Sequence, residues 1–323
     1  MNSKDQLLGY LKENKGQWIS GEALSTRIDV TRSAVWKQIC ALRDEGYRIE
    51  SSPRKGYILR SVPDLLLPAE IQQNLGTEFF GKVGIYHFIE TDSTNIQAKA
   101  LALDGAPEGT LVVAEKQNMG KGRKGRKWFS DSIGGIYCTM ILRPSTTPNE
   151  ALKIPLLTAL VAVKTLLKTT SLKPTIKWPN DILVNGKKLG GILTEISTEV
   201  DAVDFVIVGF GININTESFP EDIKDIATSV TIETGIPMNR AAFLKEYLSL
   251  YEQTYGIFTR EGFNPLMGEW RKLTHIIGHM ITVDMIGKRL TGEVEDIDRE
   301  GALLLRDEEG EIHRIYSGDV TYL

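Results

Sequence analysis

A chain of 323 residues exceeds one ordinary hydrophobic core and calls for two or three domains, since single domains hold roughly 100 to 200 residues. Its 41% hydrophobic and 25% charged content is that of a globular protein, and no window approaches the ~20 uninterrupted apolar residues of a membrane span, which excludes a bilayer-spanning role. The net charge of −4 argues against nucleic acid for the chain as a whole, yet residues 1–62 hold 11 Lys+Arg against 7 Asp+Glu, a balance of +4 that leaves −8 for the rest. That asymmetry predicts a basic N-terminal module on an acidic body. No apolar segment follows Met1 to Asp5 to serve as a secretory signal, so the expected compartment is the cytoplasm, without a membrane partner.

Ser3 to Asn14 predicts a first helix, with the capping-box spacing Ser3-x-x-Gln6 and Leu7, Leu8 and Leu11 on one face. Gly21 to Arg27 fits a short second helix. After the turn Ile28-Asp29-Val30, Thr31 stands as N-cap of a third, whose Val35, Ile39 and Leu42 repeat at helical spacing until Gly46. Tyr47 to Glu50, a turn through Ser52 to Gly56, and Tyr57 to Leu59 predict a hairpin with a basic tip. The succession is a winged helix-turn-helix. Arg32, Ser33 and Lys37 fall on the outer side of the third helix, where a recognition helix presents donors to base edges and phosphates, with Thr31 at its start. Arg54 and Lys55 would set the hairpin on the DNA backbone. Trp36 fits core and interface equally. Periodicity breaks at Val62-Pro63-Asp64 and again at Pro68, so residues 1–62 are expected to be the DNA-binding domain and 63–68 a linker.

Strand-like runs then alternate with longer helical ones. Gly84 to Ile89, Thr110 to Ala114, Ile136 to Leu142, Ile182 to Val184, Leu189 to Glu195 and Phe205 to Gly211 are predicted strands, and Asn95 to Leu103, Leu156 to Lys168 and Arg240 to Phe258 predicted helices. Asn185-Gly186 is a type I′ hairpin signal, so the sheet must contain antiparallel pairs, which argues against a Rossmann domain.

Gly120 to Lys127 packs three glycines and five cations into eight residues. It spells G-x-G-x-x-G, but a dinucleotide fingerprint needs a helix to start inside the motif and small apolar residues around it, whereas here the variable positions are basic and a strand follows. No H-R-D or D-F-G follows it, as a kinase requires, and there is no Walker A lysine. What remains is a segment flexible when empty and strongly attracted to phosphate. Lys177-Trp178-Pro179-Asn180-Asp181 adds a rigid proline turn with short polar side chains beside a strand. Lys188-Leu189-Gly190-Gly191 offers a cation followed by glycines that let a ligand approach closely. Asp92-Ser93-Thr94-Asn95 supplies hydroxyls and N–H groups where a strand meets a helix, and Gly209 to Asn215 ends a strand with two asparagines.

Cys40 and Cys138 are too far apart for a zinc pair and read as buried thiols. His275 and His279 lack a third ligand at a convincing interval. From residue 275, Ile281 to Asp284, Leu290 to Glu295, Ala302 to Arg306 and His313 to Tyr316 read as short strands, which a small SH3-like β-barrel would accommodate.

Taken in order, Asp92 to Asn95, Gly120 to Trp128, Lys177 to Asp181, Lys188 to Ile192 and Gly211 to Asn213 resemble the signatures of biotin protein ligases. With the N-terminal module, the chain is most similar to the bifunctional bacterial group that joins a biotin–[acetyl-CoA-carboxylase] ligase to a biotin operon repressor. The resemblance implies an α+β protein with a winged helix-turn-helix (1–62), a mixed-sheet ligase domain that binds biotin and ATP (69–274) and the SH3-like domain (275–323). It also implies formation of biotinyl-5′-AMP from biotin and ATP, travelling with Mg²⁺ but without a dedicated metal site, and transfer of biotin to a lysine of a carboxylase's biotin carrier domain. Biotin contacts carry over to Ser93, Thr94, Asn95, Gln117, Lys121, Gly122, Arg123 and Lys188, and nucleotide contacts to Arg123, Arg126, Asn180, Lys188 and Asn213. Joining a carboxylate to a polyphosphate brings two anions together, so a cation at the carboxylate (Lys188) and cations on the phosphates (Arg123, Arg126) are the expected catalytic groups. Lys121 stands where many relatives carry arginine, and keeps the charge while losing the planar fork.

Lipoate protein ligases share the architecture, but the appended module and Lys177 to Asp181 point away from them. A repressor without catalysis leaves Lys188 and the basic loop unexplained. The regulatory expectation is that biotinyl-5′-AMP, as corepressor, orders the loop and favours a homodimer that brings two winged helices to palindromic operator DNA.

Overall fold

The computed structural model describes residues 3–199 and 202–323. They form two compact units, the first ending at Leu65 and the second spanning Leu66–Leu323.

In the first unit, α1 (Ser3–Glu13), α2 (Gly21–Arg27) and α3 (Arg32–Asp44) precede a hairpin of β1 (Arg48–Ser52) and β2 (Gly56–Ser61). Thr31, the cap expected for α3, accepts through Oγ1 from Ala34 N at 3.3 Å, and Ser20 Oγ caps α2 by accepting from Ala23 N at 3.0 Å. Leu7, Leu8 and Leu11 of α1 and Val35, Ile39 and Leu42 of α3 are buried. Tyr57 and Ile19 exchange backbone hydrogen bonds of 2.8 and 2.9 Å, which tie the hairpin to the α1–α2 connection. Gly56, at φ +92°, is required there, because a Cβ would collide with the Ile19 carbonyl. Cys40 departs from expectation. It is only half-buried, one position off the Val35–Ile39–Leu42 stripe, whereas Cys138 is buried.

The second unit opens with α4 (Pro68–Gln72), and continues with β3 (Ile85–Thr91), α5 (Thr94–Leu103), β4 (Leu111–Gln117), a 3₁₀ turn at Arg123–Gly125, β5 (Gly135–Leu142), α6 (Pro148–Ala151), α7 (Ile154–Thr169), β6 (Thr175–Lys177), β7 (Asp181–Val184), β8 (Lys187–Glu199) and β9 (Ala202–Asn213). Next come α8 (Val230–Thr234), α9 (Arg240–Glu261) and α10 (Asn264–Leu273). The sheet has the order β3-β4-β5-β9-β8-β7-β6; β3 and β4 run parallel and every other pair is antiparallel. It is therefore mixed, as the Asn185-Gly186 turn requires, and both turn residues have positive φ, +50° and +77°. Alternation along the strands separates two cores. Val112, Ile141, Phe205 and Ile207 meet Ala98 and Ala102 of α5 on one face, while Val113, Met140 and Val208 belong with Leu160, Leu244 and Tyr247 of α7 and α9 on the other.

The remaining strands, β10 (Met280–Met285), β11 (Lys288–Ile297), β12 (Leu303–Arg306), β13 (Ile312–Ile315) and β14 (Asp319–Tyr322), form an antiparallel sheet in the order β13-β12-β11-β10-β14. The outer strands β13 and β14 pair only with β12 and β10, so the described ladder is not a closed barrel. His275 and His279 are both exposed. No described helix is long and apolar enough to cross a membrane.

Candidate active site

One cleft of about 620 Å³ collects the chemistry-bearing segments of the second unit. Ser93, Thr94, Asn95, Gln117, Lys121, Gly122, Arg123, Arg126, Asn180, Lys188 and Asn213 all line it. The sequence scatters these residues over 121 positions, and the sheet topology brings them together.

The first wall is built where β3 gives way to α5. Asp92 Oδ1 accepts from Ser93 N at 2.6 Å and Gln97 Nε2 at 2.9 Å. The Ser93 hydroxyl makes no cap bond, so the aspartate serves the helix start and the serine faces the cleft. Burial pushes the Asp92 carboxyl up, but these donors and the Thr91 hydroxyl outweigh it and hold the group below its ordinary value. Gln117, the buried last residue of β4, accepts from Thr94 N at 2.8 Å and from Thr94 Oγ1 at 3.2 Å. Thr139 Oγ1 lies 2.8 Å from both Thr94 Oγ1 and Asn95 Oδ1. The Asn95 amide donates to Leu193 O and Glu195 Oε1, each at 3.2 Å. Gly209 exists for this contact, since a Cβ there would occupy the Asn95 carbonyl.

The opposite wall is cationic. Lys188 Nζ lies 2.7 Å from Asp181 Oδ1 and 5.5 Å from the Trp128 ring centroid. That ring lies across β8 and β9 at Gly191 and Gly211; a Cβ on Gly211 would approach the indole to 2.7 Å. Arg123 donates to Asn180 Oδ1 at 2.9 Å, and Asn180 in turn donates to Ile192 O at 2.8 Å. Asn213, buried, donates to Thr228 O at 3.0 Å. The basic loop is folded back on itself by Gly122 N to Arg126 O at 2.7 Å, and Lys124 takes φ +54°. Arg126 reaches Asp319 Oδ1 at 2.5 Å and Lys124 reaches Asp319 Oδ2 and Asp284 O, both at 3.1 Å, while Lys127 pairs with Asp131 at 3.1 Å. Lys124 and Lys127 had no sequence-level assignment; Asp319 and Asp131 supply it.

Behind the cleft, Glu115 is fully buried and has three partners: Arg240 at 2.8 Å, His87 at 3.0 Å and Leu66 N at 2.6 Å; the same Arg240 guanidinium also donates to Gly135 O at 2.7 Å. Burial drives its carboxyl up, yet His87, Arg240 and Leu66 N prevail and leave it below the ordinary value. Sequence reasoning missed this network, Thr139 and Asp319. Only Lys177, inside a quoted motif but given no role, carried a readable signal.

The six residues expected to meet DNA, Thr31, Arg32, Ser33, Lys37, Arg54 and Lys55, are all exposed on the first unit. Arg32 pairs with Glu22 at 2.7 Å, and the Thr31 hydroxyl caps α3. Trp36, undecided from sequence, is 56% exposed on the same helix.

The Biotin/lipoate A/B protein ligase family matches residues 87–213, a helix-turn-helix domain matches 4–58, and the Biotin protein ligase C terminal domain matches 276–321. The bifunctional ligase/repressor BirA of Bacillus subtilis is 40% identical over 319 residues, which cover 98% of either chain. This chain belongs to the bifunctional ligase/repressor family of biotin protein ligases. The Escherichia coli member is 30% identical over 95% of this chain and 93% of its own. A solved biotin protein ligase from Aquifex aeolicus, in complex with biotin and ATP, superposes with a TM-score of 0.65 at 31% identity, covering 74% of this chain and 98% of that one.

Proposed function

We propose that the cleft activates biotin with ATP and that the first unit reads operator DNA under control of the product. The protein is a biotin–[biotin carboxyl-carrier protein] ligase and a repressor, as its family membership states. The observation that carries the site assignment is the convergence of the Asp92–Asn95 turn, the basic loop, Asn180, Lys188 and Asn213 on one cleft.

Biotin's ureido ring is assigned to the hydroxyl and amide wall of Ser93, Thr94 and Gln117, with Asn95 bracing it through Thr139. Its carboxylate is assigned to Lys188, beneath the Trp128 ring. A carboxylate oxygen attacks the α-phosphorus of ATP, the bond from phosphorus to the bridging oxygen breaks, and pyrophosphate leaves. Lys188, Arg123 and Arg126 offset the charge that these anions bring together, and no general base is needed because the carboxylate is already ionised. Asn180 positions Arg123, and Lys121 and Gly122 contribute backbone groups near biotin. Asn213 faces the nucleotide. Asp181 and Asp319, the carboxylates on the cleft wall, are each paired to cations, which leaves Mg²⁺ to travel on phosphate oxygens and water. In the second step a lysine amine of the carrier domain attacks the mixed anhydride, forming the amide, losing its proton and expelling AMP.

We read the layout as a winged helix-turn-helix over 1–62, a linker over 63–68, the catalytic domain over 69–274, and an SH3-like, incompletely closed β domain over 275–323. Biotinyl-5′-AMP is the corepressor, and an adenylate-bound homodimer presents two copies of α3 to DNA, with Arg32, Ser33 and Lys37 sharing the base edges and phosphates and Arg54 and Lys55 on the backbone.

Incubation with ATP, biotin and a biotin carrier domain should yield biotinylated lysine. Lys188→Ala should cut adenylate formation about 100-fold while leaving biotin affinity within a few-fold. Equal loss of both would make Lys188 a binding group only. Operator affinity and sedimentation mass should rise with biotin plus ATP; unchanged values would remove the corepressor reading.

A further inference from the structure

Most cations around the cleft are already neutralised. Lys188 is held by Asp181 at 2.7 Å, Arg126 and Lys124 by Asp319 at 2.5 and 3.1 Å, and Lys127 by Asp131 at 3.1 Å. Lys177 is different. It ends β6, lines the cleft half-buried, and its ammonium stands 5.7 Å from the centroid of the Tyr322 ring, with no carboxylate partner among the described residues. Burial lowers its proton affinity first, and the nearby charges of Lys188 and Arg126 add to that, against the opposing pull of Asp181 and Asp319. A cation withdrawn from water beside other cations, over an aromatic face, is a place where an arriving anion is strongly favoured.

We propose that Lys177 binds the β- and γ-phosphates of ATP and takes up the negative charge of the departing pyrophosphate. The inference rests on the ligase reading and extends it. Its place in the site fits: Lys177 pairs in register with Asp181, the partner of Lys188, and faces the β14 side where Arg126 lies. Lys188 would then act on the attacking carboxylate and Lys177 on the leaving group. As the Pα–O bond breaks, its electron pair passes to the pyrophosphate oxygen, and a fixed ammonium at that end stabilises the developing charge without itself losing a proton.

Such a role separates the two half-reactions, because pyrophosphate takes part only in the first. Lys177→Met and Lys177→Arg in the full chain are compared with the unaltered protein in three assays: biotin-dependent exchange of pyrophosphate into ATP, KM for ATP, and single-turnover transfer to a carrier domain from supplied biotinyl-5′-AMP. Lys177→Met should lose about 100-fold in exchange and raise the KM for ATP. It should transfer from supplied adenylate within about twofold of the unaltered protein, and Lys177→Arg should recover most of the exchange. Parallel loss of exchange and transfer would mean that Lys177 only supports the fold and would overturn the proposal, as would unchanged exchange in Lys177→Met. An unaltered protein with no exchange at all, but sound folding, would instead overturn the ligase reading and this inference with it.

Discussion

Asp319 holds Arg126 and Lys124 at once, one on each carboxylate oxygen, across a sequence separation of 193 and 195 residues. The strand β14 thereby pins the basic loop over the cleft. Lys124 adopts the left-handed region, which a non-glycine residue occupies at a cost of roughly 1–2 kcal/mol, and its two contacts with β10 and β14 stabilise that turn. Burial raises the Asp319 proton affinity, but Lys124 and Arg126 more than reverse this and keep it ionised.

Asp319→Asn should therefore loosen the loop without touching the biotin wall. Because the pair is partly exposed, about a fivefold faster escape of biotinyl-5′-AMP is expected, with biotin affinity unchanged. Release is followed by trapping free adenylate, and an unchanged rate would show that the loop is held by other contacts. The depressed carboxyl sets the pH range. The latch is fully present above the unfolded carboxylate value of about 4 and lost only as pH falls through the lower folded value, so retention should be flat from about pH 8 to pH 5.

The glycines beneath Trp128 and Asn95 make a second test. Gly211→Ala places a methyl 2.7 Å from the indole, which has to lift toward the cleft. Overpacking of this sort costs about 1–3 kcal/mol, and here it should appear as an adenylate affinity reduced about tenfold and altered tryptophan emission. Gly209→Ala should instead displace the Asn95 amide and weaken biotin binding. Calorimetric titration with each ligand distinguishes the two, and identical profiles would contradict separate walls.

Glu115 and Arg240 form a buried pair whose separation leaves a naked charge. Glu115→Gln should lower unfolding free energy by about 3 kcal/mol, read from urea denaturation of the full chain. The folded Glu115 carboxyl lies below its ordinary value of about 4.5, so its contribution is complete above that value and disappears as pH falls through the lower one. The variant should accordingly show a shallower loss of stability on acidification.

On the first unit, Thr31→Ala should destabilise α3 by about 1 kcal/mol through its lost cap, whereas Lys37→Ala should leave stability alone. If Lys37 meets a phosphate, the slope of log affinity against log salt should fall by about 1, equally for all sequences. A sequence-dependent loss with an unchanged slope would move Lys37 to a base edge.

The elements with strong local codes were readable from residues alone. Thr31 stands ahead of a helix that it does cap, the 35–39–42 stripe is buried, and Asn185-Gly186 makes the turn that its two positive φ values demand. The long strands β8 and β9 overran their predicted ends because pairing with each other, rather than burial, defines their outer halves. β6 was missed because three residues carry no period, and α10 because only Leu266, Met267 and Trp270 mark its buried side. Of the residues that line the cleft, the loop cations and Lys188 were legible because their charge announces anion chemistry, Ser93 to Asn95 because they open a helix at a strand end, and Gln117 only through the family resemblance. Asp319 and Thr139 were not: a single aspartate or threonine in a strand means nothing until the fold brings it against its partner.

That dependence on β14 has a consequence for synthesis. Residues from Ser93 to Tyr322 line the cleft, so a growing polypeptide exposes its helix-turn-helix, complete by Ser61, long before Asp319 has been added to steady the basic loop. Through that interval the nascent protein carries its helix-turn-helix without the carboxylate that steadies the basic loop, so chains truncated before β14 should not be recruited to the operator by biotin.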